Sequence, residues 1–220
     1  ELAIHPVRVS RDDATGVEAA ARRERQRIFA ALDADFLLTA HQQDDQAETL
    51  LLQLLRGAGP KGLAAMAVLQ RHPGWRAAQF RPLLGEPRAD LQAYAQAHEL
   101  AWVDDESNRD TRYRRNALRQ EVMPLLAAHF PGSSATLARA VDLQAEAAEL
   151  LDDLARQDAQ RAVTGDRLDC VSLAGLSLPR ARNLLRHFIG QHGQPMPNAR
   201  RLNEALHQLL EAKGDARVRV

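Results

Sequence analysis

Cysteine is almost missing from this 220-residue chain, with Cys170 the single example. A framework disulfide, a cysteine zinc site and a Cys-x-x-Cys redox pair within the chain are thereby excluded. Aromatic residues make up only 4% of the sequence, too few for the stacking platform that grips single-stranded nucleic acid. No stretch reaches the roughly 18 consecutive apolar residues that mark a membrane helix. The start carries no signal-like pattern, and a reducing, cytosolic setting is expected. The eight histidines are scattered, with no His-x-x-x-His pair suited to zinc. Lysine is scarce as well: Lys61 and Lys213 are the only lysines among 29 basic residues. Composition bias in an alanine-rich chain accounts for this; the sharper reading is that arginine serves as a fork for phosphate and carboxylate. Net charge is zero, 29 acidic residues against 29 basic, which leaves a nucleic-acid partner open because binding follows charge distribution.

With 45% hydrophobic residues, the chain can bury the core of one or two domains. Leu2–Val9 alternates as a strand would, and Val17–Leu32 reads as a helix without a breaker. Phe36–His41 suits a buried parallel strand. Ala47, Leu50, Leu51, Leu54 and Leu55 fall at helical spacing within a helix from about Gln43 to Arg56, and a loop over Gly57–Gly62 follows. Phe80–Leu84 reads as a strand, Arg88–His98 as a helix, and Trp102-Val103 as a short extended piece. This alternation predicts an α/β domain with a parallel sheet. From Asn116 the pattern turns almost wholly helical. A long helix carries Leu137 to Ala155, Arg167–Leu173 reads as a strand, and helices cover Leu178–Gln191 and Asn198–Ala212. The expected division is 1–130 for the α/β part and 131–220 for the helical part.

Three motifs carry chemistry. His41-x-x-Asp44-Asp45-x-x-Glu48 lies where a strand ends and a helix begins, the place where open α/β sheets take ligands. Its three carboxylates share one helical flank and suit an amine or a metal, while acidic residues in a first turn also simply oppose the helix dipole. His41 by itself reads as a structural hydrogen-bonding residue. Arg56-Gly57-Ala58-Gly59-Pro60-Lys61-Gly62 has the form G-x-G-x-x-G but closes a helix rather than opening one, so it is no dinucleotide fingerprint. Gly57 reads first as a helix cap; Arg56 and Lys61 are left to offer charge to phosphate. The third motif runs from Trp102 through Asp104, Asp105, Ser107 and Asn108 into Arg109, Arg112, Arg114, Arg115 and Arg119, five arginines in eleven positions. Arginine forks bind phosphate bidentately, and the alternative is a solvated helix start paired with Asp104, Asp105 and Asp110. Arg180, Arg182, Arg186, Arg200 and Arg201 form a weaker set, read as a solvated face.

In this order the blocks resemble a known family. Ala21-Arg22-x-x-Arg25, Thr39 to Thr49, Arg56-Gly57-x-Gly59-x-x-Gly62-Leu63, Arg81-Pro82-Leu83-Leu84, Asp105-x-Ser107-Asn108 and Arg115-Asn116-x-Leu118-Arg119 together resemble the tRNA(Ile)-lysidine synthetases, PP-loop ATPases of the N type. The resemblance is dense over residues 18–130 and looser beyond. It implies a partial Rossmann-like ATPase domain followed by a helical tRNA-binding domain. It further implies ATP with Mg2+, L-lysine, and a tRNA(Ile) with a CAU anticodon, acting in the cytoplasm. A homodimer is one assembly the resemblance admits. The implied reaction adenylates the C2 oxygen of the wobble cytidine, and lysine's amine then displaces AMP. Asp45, Glu48 and Arg115 are the implied catalytic residues, with Asp44, Asp45 and Glu48 holding lysine. Arg22, Arg25, His41, Arg56, Lys61, Ser107, Asn108, Arg112, Arg115, Asn116 and Arg119 would face nucleotide or tRNA, and no residue is assigned to a protein-held metal.

Some features depart from the family pattern. No Ser-Gly-Gly-x-Asp-Ser loop is present, Gln26 stands where the family usually has tyrosine, and the chain opens on Glu1 as an excised piece would. The chain is therefore expected to be a fragment that does not form lysidine unaided. A PP-loop tRNA thiolase and a non-catalytic tRNA-binding module are the competing readings. Cys170 standing alone argues against the thiolase.

Overall fold

The computed structural model describes residues 3–10, 16–103 and 105–211, without the side chains of Glu18, Glu106 and Ser107. Two compact units divide the chain, residues 1–143 and residues 144–220. The division between these units falls inside a long helix. The reason is packing: Leu137, early in that helix, lies against the apolar cluster of the first unit.

In the first unit, helix α1 spans Val17–Ala30, strand β1 Phe36–Leu38 and helix α2 Gln43–Leu54. The short α3 covers Pro60–Leu63, β2 Leu69–Gln70, β3 Ala78–Phe80 and α4 Arg88–Ala97. A 3-10 turn over Glu106–Arg109 leads to α5, Arg114–Ala117, then a π-helical turn at Leu118–Val122, then α6, Met123–His129. Helix α7 runs Ser133–Ala162. The sheet is small and mixed, in the order β1-β3-β2. Strand β1 pairs parallel with β3, placing Phe36 beside Ala78 and Leu38 beside Phe80, while β2 pairs antiparallel with β3. The expected α/β architecture is present, with an antiparallel strand added to the parallel pair.

Several extended segments differ from expectation. Residues 3–10 form no strand, and Leu2 lies outside the described residues; Ile4 is 81% exposed. An alternating pattern becomes a strand only where a partner edge and a covered face exist, and neither is present among the described residues. Strand β1 is not buried on both sides, since Phe36 and Leu38 stand 56% and 62% exposed. Residues 81–84 turn immediately after β3 instead of continuing it. Trp102-Val103 is exposed coil.

The expected loop after α2 holds the four-residue α3. Gly57 closes α2 at φ 72°, and the N–H groups of Gly57 and Ala58 return to the carbonyls of Leu54 and Gln53. That is the left-handed helix end glycine provides. Gly62 is needed for a different reason: a Cβ there would meet the Ala58 Cβ at 2.7 Å. The first-unit core gathers Ala47, Leu118 and Met123, with Leu51, Leu52, Leu126 and Leu137 around them. Gln46 is buried, and both ends of its amide bond the backbone of Met66, fixing α2 to the segment before β2.

In the second unit, a hairpin of β4 (Val163–Thr164) and β5 (Arg167–Leu168) follows α7. It replaces most of the strand expected over Arg167–Leu173, because Asp169 caps a new helix, α8, at Cys170–Ala174 by accepting the Ser172 N–H. Helices α9 (Leu178–Gln191) and α10 (Ala199–Glu211) complete the unit. Its core is aliphatic, with Leu173, Leu184, Leu185 and Leu202 fully buried. Arg180 of the weaker basic set pairs with the buried Asp158, so this arginine is structural. Truncating Leu185 to Ala is expected to cost about 2–5 kcal/mol, read as a lowered urea midpoint. Leu178→Ala at an exposed position should leave the midpoint nearly unchanged.

Candidate active site

The site begins where β1 ends. The Thr39 N–H still bonds the Phe80 carbonyl, so the backbone is held as far as this residue before it turns into α2. Gln42 caps the helix: its side chain accepts the Asp44 N–H at 2.7 Å, and its own N–H donates to Asp45 Oδ2 at 3.0 Å. This reciprocal capping box fixes the first turn. Asp45 and Glu48 then follow three residues apart on one face.

That face meets arginines from about seventy residues later. Arg115 Nε donates to Glu48 Oε2 at 2.9 Å and Arg115 Nη2 to Asp45 Oδ1 at 3.0 Å. Arg119 Nε donates to Glu48 Oε1 at 2.6 Å, and its Nη2 reaches Asp45 Oδ1 and Glu48 Oε2, both at 2.9 Å. The Glu48 side chain is 2% exposed. Two carboxylates and two guanidiniums thus form a neutral quartet in which each carboxylate oxygen has a donor. The hydrogen bond from Arg119 to Glu48 raises the Arg119 pKa above its ordinary value, ahead of the opposing effect of burial. Arg119 sits on the π-helical turn, a distortion often found at functional sites.

Asp44 takes a different part. Its Oδ2 accepts the Arg88 N–H at the start of α4, and its Oδ1 accepts the Ser134 hydroxyl at the start of α7. The three carboxylates expected to hold an amine therefore hold protein donors in this structure. Spacing showed that they share a flank and could not show that the complementary charges lie in the same chain. A usable signal was nonetheless present: Arg115 and Arg119, four apart, also share one helical face.

The other expected residues are distributed around this centre. His41 is half-buried, its Nδ1 3.1 Å from Thr39 Oγ1. Burial lowers its pKa most; the charges of Arg81, Arg115 and Arg22 add to that, and Asp45 opposes it. Arg22 and Arg25 are exposed on α1, and Arg56 is exposed beyond α2. Lys61 lies exposed in α3. Arg112 forks onto Asp110, whose carboxyl is held below its ordinary pKa by that hydrogen bond. Asn116 donates to the Asp110 carbonyl, and the Asn108 carbonyl accepts from Gln120. Ser107 lies in the 3-10 turn, its side chain outside the described residues along with Asp104. The arginine cluster is thus split: Arg115 and Arg119 turn inward, while Arg109, Arg112 and Arg114 stay exposed. Sequence reasoning missed Gln79 and did not count Arg81 among the site residues, although both are buried behind His41 in a connected polar chain.

Against known families, residues 1–126 match the PP-loop domain. The chain belongs to the PP-loop family. Residues 168–220 match the TilS substrate binding domain. The PP-loop chain is similar to proteins named tRNA(Ile)-lysidine synthase. It is 45% identical to that of Nitrosomonas europaea over 97% of its length, 47% identical to that of Azoarcus sp. over 99%, and 47% identical to that of Chromobacterium violaceum over 98%. It spans 47%, 48% and 49% of those relatives, about half of each.

Among the described residues no helix is long and apolar enough to cross a membrane, and no three His, Cys, Asp or Glu side chains converge on a metal position. Asp44→Ala would uncap α4 and release Ser134. The expected loss is about 1–2 kcal/mol of stability by urea unfolding, with Asp44→Asn, which keeps an acceptor, losing less.

Proposed function

We propose that this chain is part of a cytoplasmic tRNA(Ile)-lysidine synthetase. The observation that carries the reading is the presence in one chain of a PP-loop match over residues 1–126 and a TilS substrate-binding match over residues 168–220. In the proposed reaction, the C2 oxygen of the wobble cytidine of a CAU-anticodon tRNA(Ile) attacks the α-phosphorus of ATP and pyrophosphate leaves. The ε-amine of L-lysine then adds at C2, loses a proton, and AMP departs. Residues 1–130 supply the nucleotide chemistry and 131–220 hold the tRNA.

Adenylation piles negative charge onto a phosphate, and preorganised cations are the main means of stabilising it. Arg115 and Arg119 fit the task. Their forks are locked by Asp45 and Glu48 at one edge, yet their side chains remain 34% and 28% exposed. The exposed Arg22, Arg25, Arg56, Lys61 and Arg112, with Asn108, Asn116 and Ser107, form the wider set toward nucleotide and tRNA. Mg2+ enters with the ATP phosphates, as is usual for an ion seldom caged by protein alone.

Two roles follow for the acidic residues. In the first, Asp45 and Glu48, with Asp44 beside them, hold the lysine amine by exchanging it for a guanidinium. In the second, favoured by the filled quartet, they aim the arginines. The complete protein distinguishes these when assayed with ATP, lysine and tRNA(Ile). Asp45→Ala raises the lysine KM at similar kcat under the first role, and lowers kcat at similar lysine KM under the second. Arg115→Ala is expected to slow AMP release about a hundredfold or more and to weaken tRNA binding less at high salt than at low salt. Absence of lysine-dependent AMP release from the unaltered complete protein would overturn the proposed function.

A further inference from the structure

Behind His41 lies a polar chain with a fixed direction. Arg81 is 5% exposed, and the acceptors its guanidinium meets are all neutral: the Ala67 carbonyl at 2.7 Å, Gln70 Oε1 at 3.1 Å and Gln79 Oε1 at 2.8 Å. Its Nε is buried without a partner. No carboxylate pairs with Arg81 among the described residues, so the charge is balanced by dipoles aimed at it, and the bond to Gln79 is charge-assisted.

A guanidinium only donates. The Gln79 atom facing Arg81 must therefore be the amide oxygen, which also accepts from His72 Nε2 at 3.0 Å. The Gln79 NH2 then faces the other way and donates to Thr39 Oγ1 at 3.2 Å. With one lone pair of Thr39 taken, its hydroxyl proton has a single acceptor in reach among the described residues, His41 Nδ1 at 3.1 Å. Each donor polarises the next in such a chain.

We propose that Arg81, Gln79 and Thr39 are positioning residues that fix His41 as a neutral imidazole with Nδ1 accepting and Nε2–H presented as a donor to a substrate oxygen. The ring then acts as a directed hydrogen-bond donor and not as a base. Burial and the nearby charges of Arg81, Arg115 and Arg22 oppose its protonation, with Asp45 alone acting against them. The nature of the substrate oxygen rests on the proposed function above; the tautomer does not, and it is testable on the chain without substrate.

The direction of the chain can be reversed by one isosteric change. In Gln79→Glu, a carboxylate that only accepts would face Thr39 and accept a hydrogen bond from its hydroxyl. The Thr39 oxygen would then accept from His41, forcing the proton onto Nδ1. Long-range 1H–15N correlation spectra at about pH 8, where a histidine is neutral, read this directly, with the His41 signals assigned by their loss in His41→Gln. The expected results are the Nε2–H form in the unaltered chain, the Nδ1–H form in Gln79→Glu, and no switch when Gln79→Glu is combined with Thr39→Val. The Nδ1–H form in the unaltered chain, or the same tautomer with and without Gln79→Glu, would overturn the proposal. A switch that persists without the Thr39 hydroxyl would overturn the relay.

Discussion

The first unit depends on one electrostatic constraint: Glu48, almost without solvent contact, must have both carboxyl oxygens bonded or α2 cannot pack as it does. Burying a lone carboxylate is prohibitive, and burying a paired one is tolerable only when the geometry satisfies its lone pairs. Arg115 and Arg119 meet that condition with near-ideal distances. The price is positional, since α5 and the π-helical turn have to lie where two forks can reach Asp45 and Glu48 together. Ala47, Leu118 and Met123 pack beside this polar clasp, so apolar burial and charge pairing specify the same docking of distant segments.

In the proposed function the same clasp shapes the chemistry. Guanidiniums tethered along one edge lose little freedom when the other edge meets a phosphate, which is the benefit of a preorganised site. Asp44 contributes rigidity by joining α2 to the starts of α4 and α7. On the sheet side, a hydrogen-bonded chain runs from Arg81 through Gln79 and Thr39 to His41 Nδ1. The helix side and the sheet side thus converge on the single turn between β1 and α2, where open α/β sheets place ligands.

Much of this was legible in the sequence, for identifiable reasons. Helices α2, α4 and α7 follow apolar spacing, and α1 an alanine- and arginine-rich run without a breaker, which are local properties. The start of β1 and the His41-to-Glu48 motif were visible for the same reason, whereas β1 stops at Leu38 and not at His41. Strand pairing was less visible because it depends on neighbours: Ala3 to Val9 alternates without forming a strand, and two-residue β2 has no pattern long enough to read. The cluster from Arg109 to Arg119 stood out by density, but its division into inward and outward arginines depends on the partner face of α2. Gln79 carried no signal, because an amide in a short strand looks ordinary until Arg81 and Thr39 are placed on either side of it.

The central claim is that the acidic flank of α2 is occupied by the chain's own arginines. A double-mutant cycle tests it most directly, using the unfolding free energies of the unaltered chain, Glu48→Gln, Arg119→Met and the double variant. A locked pair predicts that each single change is strongly destabilising and that the double variant recovers part of the loss, with a coupling of about 1 kcal/mol or more. Additivity within about 0.3 kcal/mol would mean that Glu48 and Arg119 do not sustain one another, and would contradict the account.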